Sequence, residues 1–223
     1  MELYEVMRST PAAREFTGDP LPDDVLHRIL DHARFAPSGG NRQGAHVVVV
    51  RDRETRERLA ELYTPAVQRY VAQSKAGENP WNSIDPPGPT PEEIAATAVP
   101  SRFTRPVLDA PVVLVVLVDL AKVAAMDQDL DRVGLIAGAS VYPLVWNILL
   151  AARKEGFGGT ITTMAAVRED DVKELLHAPD TYAVAAVVPL GKPVKEITRL
   201  TRQPVEEFVT LETVDGERFA ADE

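Results

Sequence analysis

The 223-residue chain has no cysteine, which excludes a disulfide framework, a thiolate metal site and a cysteine nucleophile. It also lacks a surplus of positive charge. Against 34 aspartates and glutamates stand 24 lysines and arginines, giving a net charge of −10. A nucleic-acid surface needs a basic face to neutralise phosphates, so no nucleic-acid partner is expected, and the basic residues that matter must act locally. Histidine is sparse: His27, His32, His46 and His177 show no metal-ligand spacing and are read as structural, with no metal expected. No Gly-x-Gly-x-x-Gly follows an expected strand, which argues against a dinucleotide-binding fold. No Ser-His-Asp or paired-carboxylate arrangement stands out. The first residues lack a basic region followed by an apolar core, so no secretory signal is read and a cytoplasmic location is the expectation.

What is present fits a layered protein. With 45% hydrophobic residues, the chain can bury a substantial core, and a single domain over 1–223 is expected. The pattern predicts short helices at 3–8 and 172–176, and a helix after Asp19-Pro20-Leu21-Pro22-Asp23-Asp24 with capping carboxylates, ending at Pro37. A charged helix is expected over 52–62, running on to about 73 after an interruption near Pro65. Apolar, β-branched runs predict strands at 46–51, 112–118 and 182–190, the first too apolar for a wet face, with a strand-like tail at 207–213. Interleaved strands and helices imply a sheet covered by helices.

Two segments break this pattern. Residues 133–152 carry no charge and lie between Arg132 and Arg153-Lys154. That is about the roughly 20 residues of a membrane span, but Ser140, Asn147 and small residues interrupt it. The expectation is a helix over 133–154, buried in a core or a subunit interface, with no membrane contact. Residues 75–106 gather seven prolines, a density no regular core element tolerates. They read as an excursion with a short helix at 91–98, and as a candidate substrate lid.

Three polar clusters carry the candidate chemistry. Ala36-Pro37-Ser38-Gly39-Gly40-Asn41-Arg42-Gln43 joins an apolar helix to a β-branched run. Its glycines permit close backbone approach, while Ser38, Asn41 and Gln43 offer groups suited to a planar heteroaromatic ring. Arg8-Ser9-Thr10 with Arg14-Glu15-Phe16, and Arg199 to Pro204, supply the guanidinium forks and hydroxyls that a phosphate takes. A third cluster, Gly156-Phe157-Gly158-Gly159-Thr160-Ile161-Thr162-Thr163, is a glycine- and threonine-rich turn.

In this order, basic-x-Phe at Arg14-Glu15-Phe16, Ala-Pro-Ser-x-x-Asn-x-Gln at 36–43 and Arg-x-Pro at Arg202-Gln203-Pro204, the chain resembles the FMN-dependent nitroreductases, including their iodotyrosine deiodinase-like members. The resemblance implies an α+β fold: a central mixed, mainly antiparallel sheet flanked by helices, in an obligate homodimer with a long buried interface helix and FMN between the subunits. It implies that Arg8, Ser9 or Thr10, and Arg202 hold the ribityl phosphate, and that Arg14 lies by the pyrimidine edge. Pro37, Ser38, Gly39, Asn41 and Gln43 would contact the ring, and Gly159 with Thr160, Thr162 or Thr163 would face its N5 region. It implies electron transfer from NADH or NADPH to a nitroaromatic, quinone or related acceptor by a ping-pong route. A deiodinase or flavin-destructase-like enzyme, or an FMN-binding module without turnover, are the alternatives. Two departures stand out: Ala12 replaces a serine in the first element, and Gly44-Ala45 replaces Pro-Trp after Gln43.

Overall fold

Strand β2 (Val112–Asp119) is seven valines and leucines followed by an aspartate, and all seven are buried. Successive side chains point to opposite faces, so a strand this apolar needs a core on each side. The computed structural model, which describes residues 1–220, supplies both. Val112, Leu114, Val116 and Val118 meet helices α2 (Asp23–Ala33) and α7 (Tyr142–Lys154). Val113, Val115 and Leu117 meet α3 (Arg53–Leu62), α4 (Thr64–Lys75) and their neighbours α6 (Arg105–Asp109) and α8 (Glu169–Leu175).

The sheet order is β1-β2-β4-β3, with β1 at Ala45–Val50, β3 at Gly158–Gly159 and β4 at Tyr182–Gly191. All three pairings are antiparallel, and a lone parallel bridge joins Ala12 to Gly159. The expectation of a mainly antiparallel sheet between helices therefore holds. Its position at the margin leaves β1 partly uncovered: His46 and Val49, on opposite faces, are exposed, against the expectation from its apolar run.

Helix α1 (Leu3–Ser9) opens on a capping box between Glu2 and Glu5. Helix α2 differs from expectation at both ends. Its cap residue is Pro22 with no side-chain cap, Asp23 and Asp24 act instead as first-turn carboxylates facing the helix dipole, and it stops at Ala33, before Pro37.

The uncharged 133–154 stretch is helical only from Tyr142, where Pro143 in the first turn starts α7. Upstream, the Asp127 carboxylate accepts from Arg132 at 2.7 Å and from the backbone N–H groups of Leu135 at 2.7 Å and Ile136 at 3.3 Å. That folds the segment into turns ending in a 3-10 stretch, Ile136–Ser140. No helix among the described residues is long and apolar enough to cross a membrane. The tail forms no strand at 207–213; it has a 3-10 turn, Val205–Glu207, and one bridge between Thr210 and Arg218.

The Pro-rich excursion folds against α4. Buried Gln73 accepts from Trp81 N–H at 3.1 Å and donates to Glu78 at 2.9 Å, and the Arg69 guanidinium lies 3.9 Å over the Trp81 ring. Helix α5 (Pro91–Ala95), shorter than expected, carries a Thr90–Glu93 capping box. The segment then turns inward through Ser101–Phe103.

Candidate functional site

Two of the three sequence clusters meet along one side of the fold. The first lines a cavity of about 1270 Å³ that includes Arg8, Ser9, Trp146, Arg153, Arg199 and Arg202. The end of α1 and the 196–204 segment are tied across it by Leu200 N–H donating to the Arg8 carbonyl at 2.9 Å. Among the described residues, Arg8, Arg199 and Arg202 have no carboxylate within salt-bridge distance. Glu5, which also lines the cavity, spends its carboxylate on the Glu2 N–H. In a chain of net charge −10, this is a concentrated local excess of positive charge.

The hydroxyls here close α1. Ser9 Oγ donates to the Glu5 carbonyl at 2.6 Å and Thr10 Oγ1 to the Val6 carbonyl at 2.6 Å. Both residues are buried, but only Ser9 also lines the cavity.

Six residues along the chain, Arg14 lines a second cavity of about 220 Å³ with Tyr70, Phe103 and residues 160–164. The sheet holds this turn in place. Ala13 N–H donates to the Gly159 carbonyl at 2.9 Å, and Thr162 exchanges two backbone hydrogen bonds with Val187 at 2.9 and 2.8 Å. A side chain on Gly159 would strike the Pro189 carbonyl and the Leu190 side chain, so its missing Cβ is what lets the turn reach the sheet. Thr160 is buried, Thr162 half-buried and Thr163 exposed. Behind the turn, Tyr63 is fully buried and its hydroxyl has no hydrogen-bond partner among the described residues. Burial pushes that phenol well up from its ordinary value, and the Thr162 side chain opposes the shift without meeting hydrogen-bond geometry.

A third cavity of about 770 Å³ shares Arg14, Tyr70, Arg102 and Phe103 with the second. Tyr70 and Phe103 meet edge to face with centroids 5.4 Å apart.

Residues 37–43 lie elsewhere. Pro37, Ser38 and Gln43 line a recess of about 120 Å³ with Ser140 and Leu144, and none of the arginines or threonines above borders it. Ser38 Oγ accepts from Gln43 N–H at 3.0 Å, and Ser140 Oγ accepts from Gly39 N–H at 3.1 Å. Asn41 and Gln43 hold φ of 52° and 48°, a conformation that non-glycine residues adopt at a cost. Pro37, Gly39, Asn41 and Gln43 are all exposed. The loop is thus rigidly shaped and presented outward.

Sequence reasoning missed Arg153 and Trp146, whereas Arg102 and Phe103 fall within the 75–106 excursion read as a candidate lid. For Arg153 a signal existed: it sits four residues after buried Leu149 on α7 and shares that inward face.

The fold has close solved counterparts. A BluB-like flavoprotein from Clostridium difficile 630 superposes with a TM-score of 0.68 at 21% identity, over 96% of this chain and all of the other. Oxidized iodotyrosine deiodinase bound to FMN and 3-iodo-L-tyrosine gives 0.67 at 20% identity, over 95% and 100%. The architecture is the one such flavoproteins share. Among curated proteins, an NADH dehydrogenase of Thermus thermophilus is 27% identical over 206 residues, covering 88% of this chain and 89% of that one. An iodotyrosine deiodinase of Nematostella vectensis is 22% identical over 212 residues, covering 94% and 75%. Residues 7–192 match the nitroreductase family, and the chain belongs to it. The expected fold and a nitroreductase-type oxidoreductase are both borne out.

Proposed function

We propose that this protein binds FMN and passes electrons from NADH or NADPH to a small acceptor, a nitroaromatic, quinone or related compound, in a ping-pong cycle. The observation that carries the reading is the run from Arg8 to Arg14, which borders an arginine-lined cavity at one end and the threonine turn at the other. The residues present fit the cofactor. Unpaired guanidinia offer charge-assisted hydrogen bonds to a phosphate dianion, and the smaller cavity offers a cation, hydroxyls and aromatic walls for a ring edge. When bound, FMN supplies hydride acceptance at N5 and delivery of electrons to the second substrate.

The chain's own part is to bind and polarise. Arg8, Arg199 and Arg202 hold the phosphate. Arg14 opposes negative charge on the pyrimidine edge, and residues 160–163 present donors near N5. Ser101–Phe103 with Tyr70 cover the acceptor space and exclude water, which narrows the lid to the inward end of the 75–106 excursion, because residues around Trp81 are engaged with α4. The outward, preformed 37–43 loop supports a homodimer in which it meets the ring held by the other copy. Cytoplasmic operation follows the sequence expectation.

The purified protein should be yellow, with flavin absorption bleached by NADH or NADPH and restored by menadione or a nitrofuran. A colourless protein that takes up no added FMN refutes the reading; a yellow one that neither nucleotide bleaches leaves a binding module. The deiodinase relative that matches 94% of the chain, with the aromatic pair beside Arg14, supports a second reading. Halotyrosine turnover with dithionite as reductant would favour it over the reductase.

A further inference from the structure

We infer that Arg153 is a positioning residue for phosphate and makes this site prefer FMN over riboflavin. The inference rests on the flavin reading above. Arg153 is only 7% exposed, at the end of the apolar helix α7. A buried charge is costly unless it is paired and hydrogen-bonded. Two of its nitrogens are engaged: Nε donates to Ser9 Oγ at 3.2 Å and Nη2 to the Ile197 carbonyl at 2.9 Å. Both acceptors are neutral. Its only carboxylate neighbour among the described residues is Glu196, 3.8 Å from Nη1 and with a side chain 77% exposed, so the charge is poorly compensated.

The same guanidinium borders the cavity that Arg8, Arg199 and Arg202 line. A dianion there would supply the missing countercharge. Through Ser9 the arginine fixes the end of α1 and hence Arg8; through Ile197 it fixes the segment that carries Arg199 and Arg202. Nη1 is left for the anion. Lysine cannot make three divergent donations from one planar fork, so the identity of the side chain matters as well as its charge.

The test uses the full-length apoprotein, titrated with FMN and with riboflavin by fluorescence quenching, alongside its own thermal midpoint. Arg153→Gln should weaken FMN binding by about tenfold or more, the scale of a lost charged hydrogen bond, while leaving riboflavin within about twofold. Arg153→Lys, which keeps the charge and folds more readily, should give a preference between wild type and Gln. An unchanged FMN-to-riboflavin ratio in either folded variant, or equal losses for both flavins, overturns the assignment and leaves Arg153 as ordinary packing. Wild-type protein that binds neither flavin overturns the flavin reading itself, a result distinct from the other two.

Discussion

The arginine-lined cavity draws cationic side chains from distant parts of the chain, whereas the 37–43 loop presents Asn41 and Gln43 outward. The cavity's parts come from α1, α7 and the 196–204 segment, locked together by hydrogen bonds that span the sequence. The loop is equally well shaped, through Ser38, Ser140 and two non-glycine residues at positive φ, but its ring-facing candidates point to solvent. In the homodimer proposed above, this loop is the half that meets a ring held by the other copy.

The largest effect should come from separating the two halves genetically. Arg202→Ala and Asn41→Ala proteins should each be poor in flavin, while subunit exchange between them should restore about one quarter of the sites, since half of randomly paired dimers regain one intact site. No recovery in a mixture shown by mass spectrometry to exchange subunits would place both halves in one chain.

On its own, Arg202→Ala should cost about 1.5–3 kcal/mol of FMN affinity if it makes a charged hydrogen bond to phosphate. Isothermal titration checks this, and unchanged affinity removes Arg202 from the site.

Acid should affect the loop side first. Hydrogen bonds from Leu135 N–H and Arg132 hold the Asp127 carboxylate down at about 2, below its ordinary value of 3.8. A carboxylate depressed in the folded state stabilises above its unfolded value, and that contribution fades as pH falls from about 4 toward 2. Asp127 orders the segment leading to Ser140, which holds Gly39. Hydrogen exchange at Gly39 and Leu135 should therefore rise in that window before exchange at Leu200 does, and Asp127→Asn should lose the acid-dependent part. The smallest effect is expected at Tyr63→Phe. Removing a buried hydroxyl with no partner should be neutral or stabilising by up to about 1 kcal/mol in urea melts; a clear loss of stability would show that the Thr162 contact matters.

Legibility in the sequence followed what each residue type decides locally. The valine run of β2 and the Gly-Thr turn could be read because β-branching and glycine act through the backbone. The margin position of β1 could not, since its apolar residues look the same in a central strand and only the sheet order decides exposure. Residues 133–141 looked helical because they lack charge, whereas a carboxylate at Asp127 and a proline at 143 determine their path from outside the stretch. The tail at 207–213 alternates like a strand but finds only one bridging partner. Of the candidate site residues, Arg14 and Arg202 were marked by motifs and Arg8 by its basic, hydroxyl-rich cluster. For Arg153 the helical spacing marks only the inward face, and its hydrogen-bond partners Ser9 and Ile197 are distant in the chain.

The place of β1 at the rim of the sheet bears on how the protein will keep. Four consecutive valines, 47–50, lie along a margin with no further strand among the described residues. Such a rim is a template on which other chains can add as fibres. Warming or prolonged storage should seed fibrils that bind thioflavin, and Val49→Lys, at a position already 41% exposed, should slow their growth.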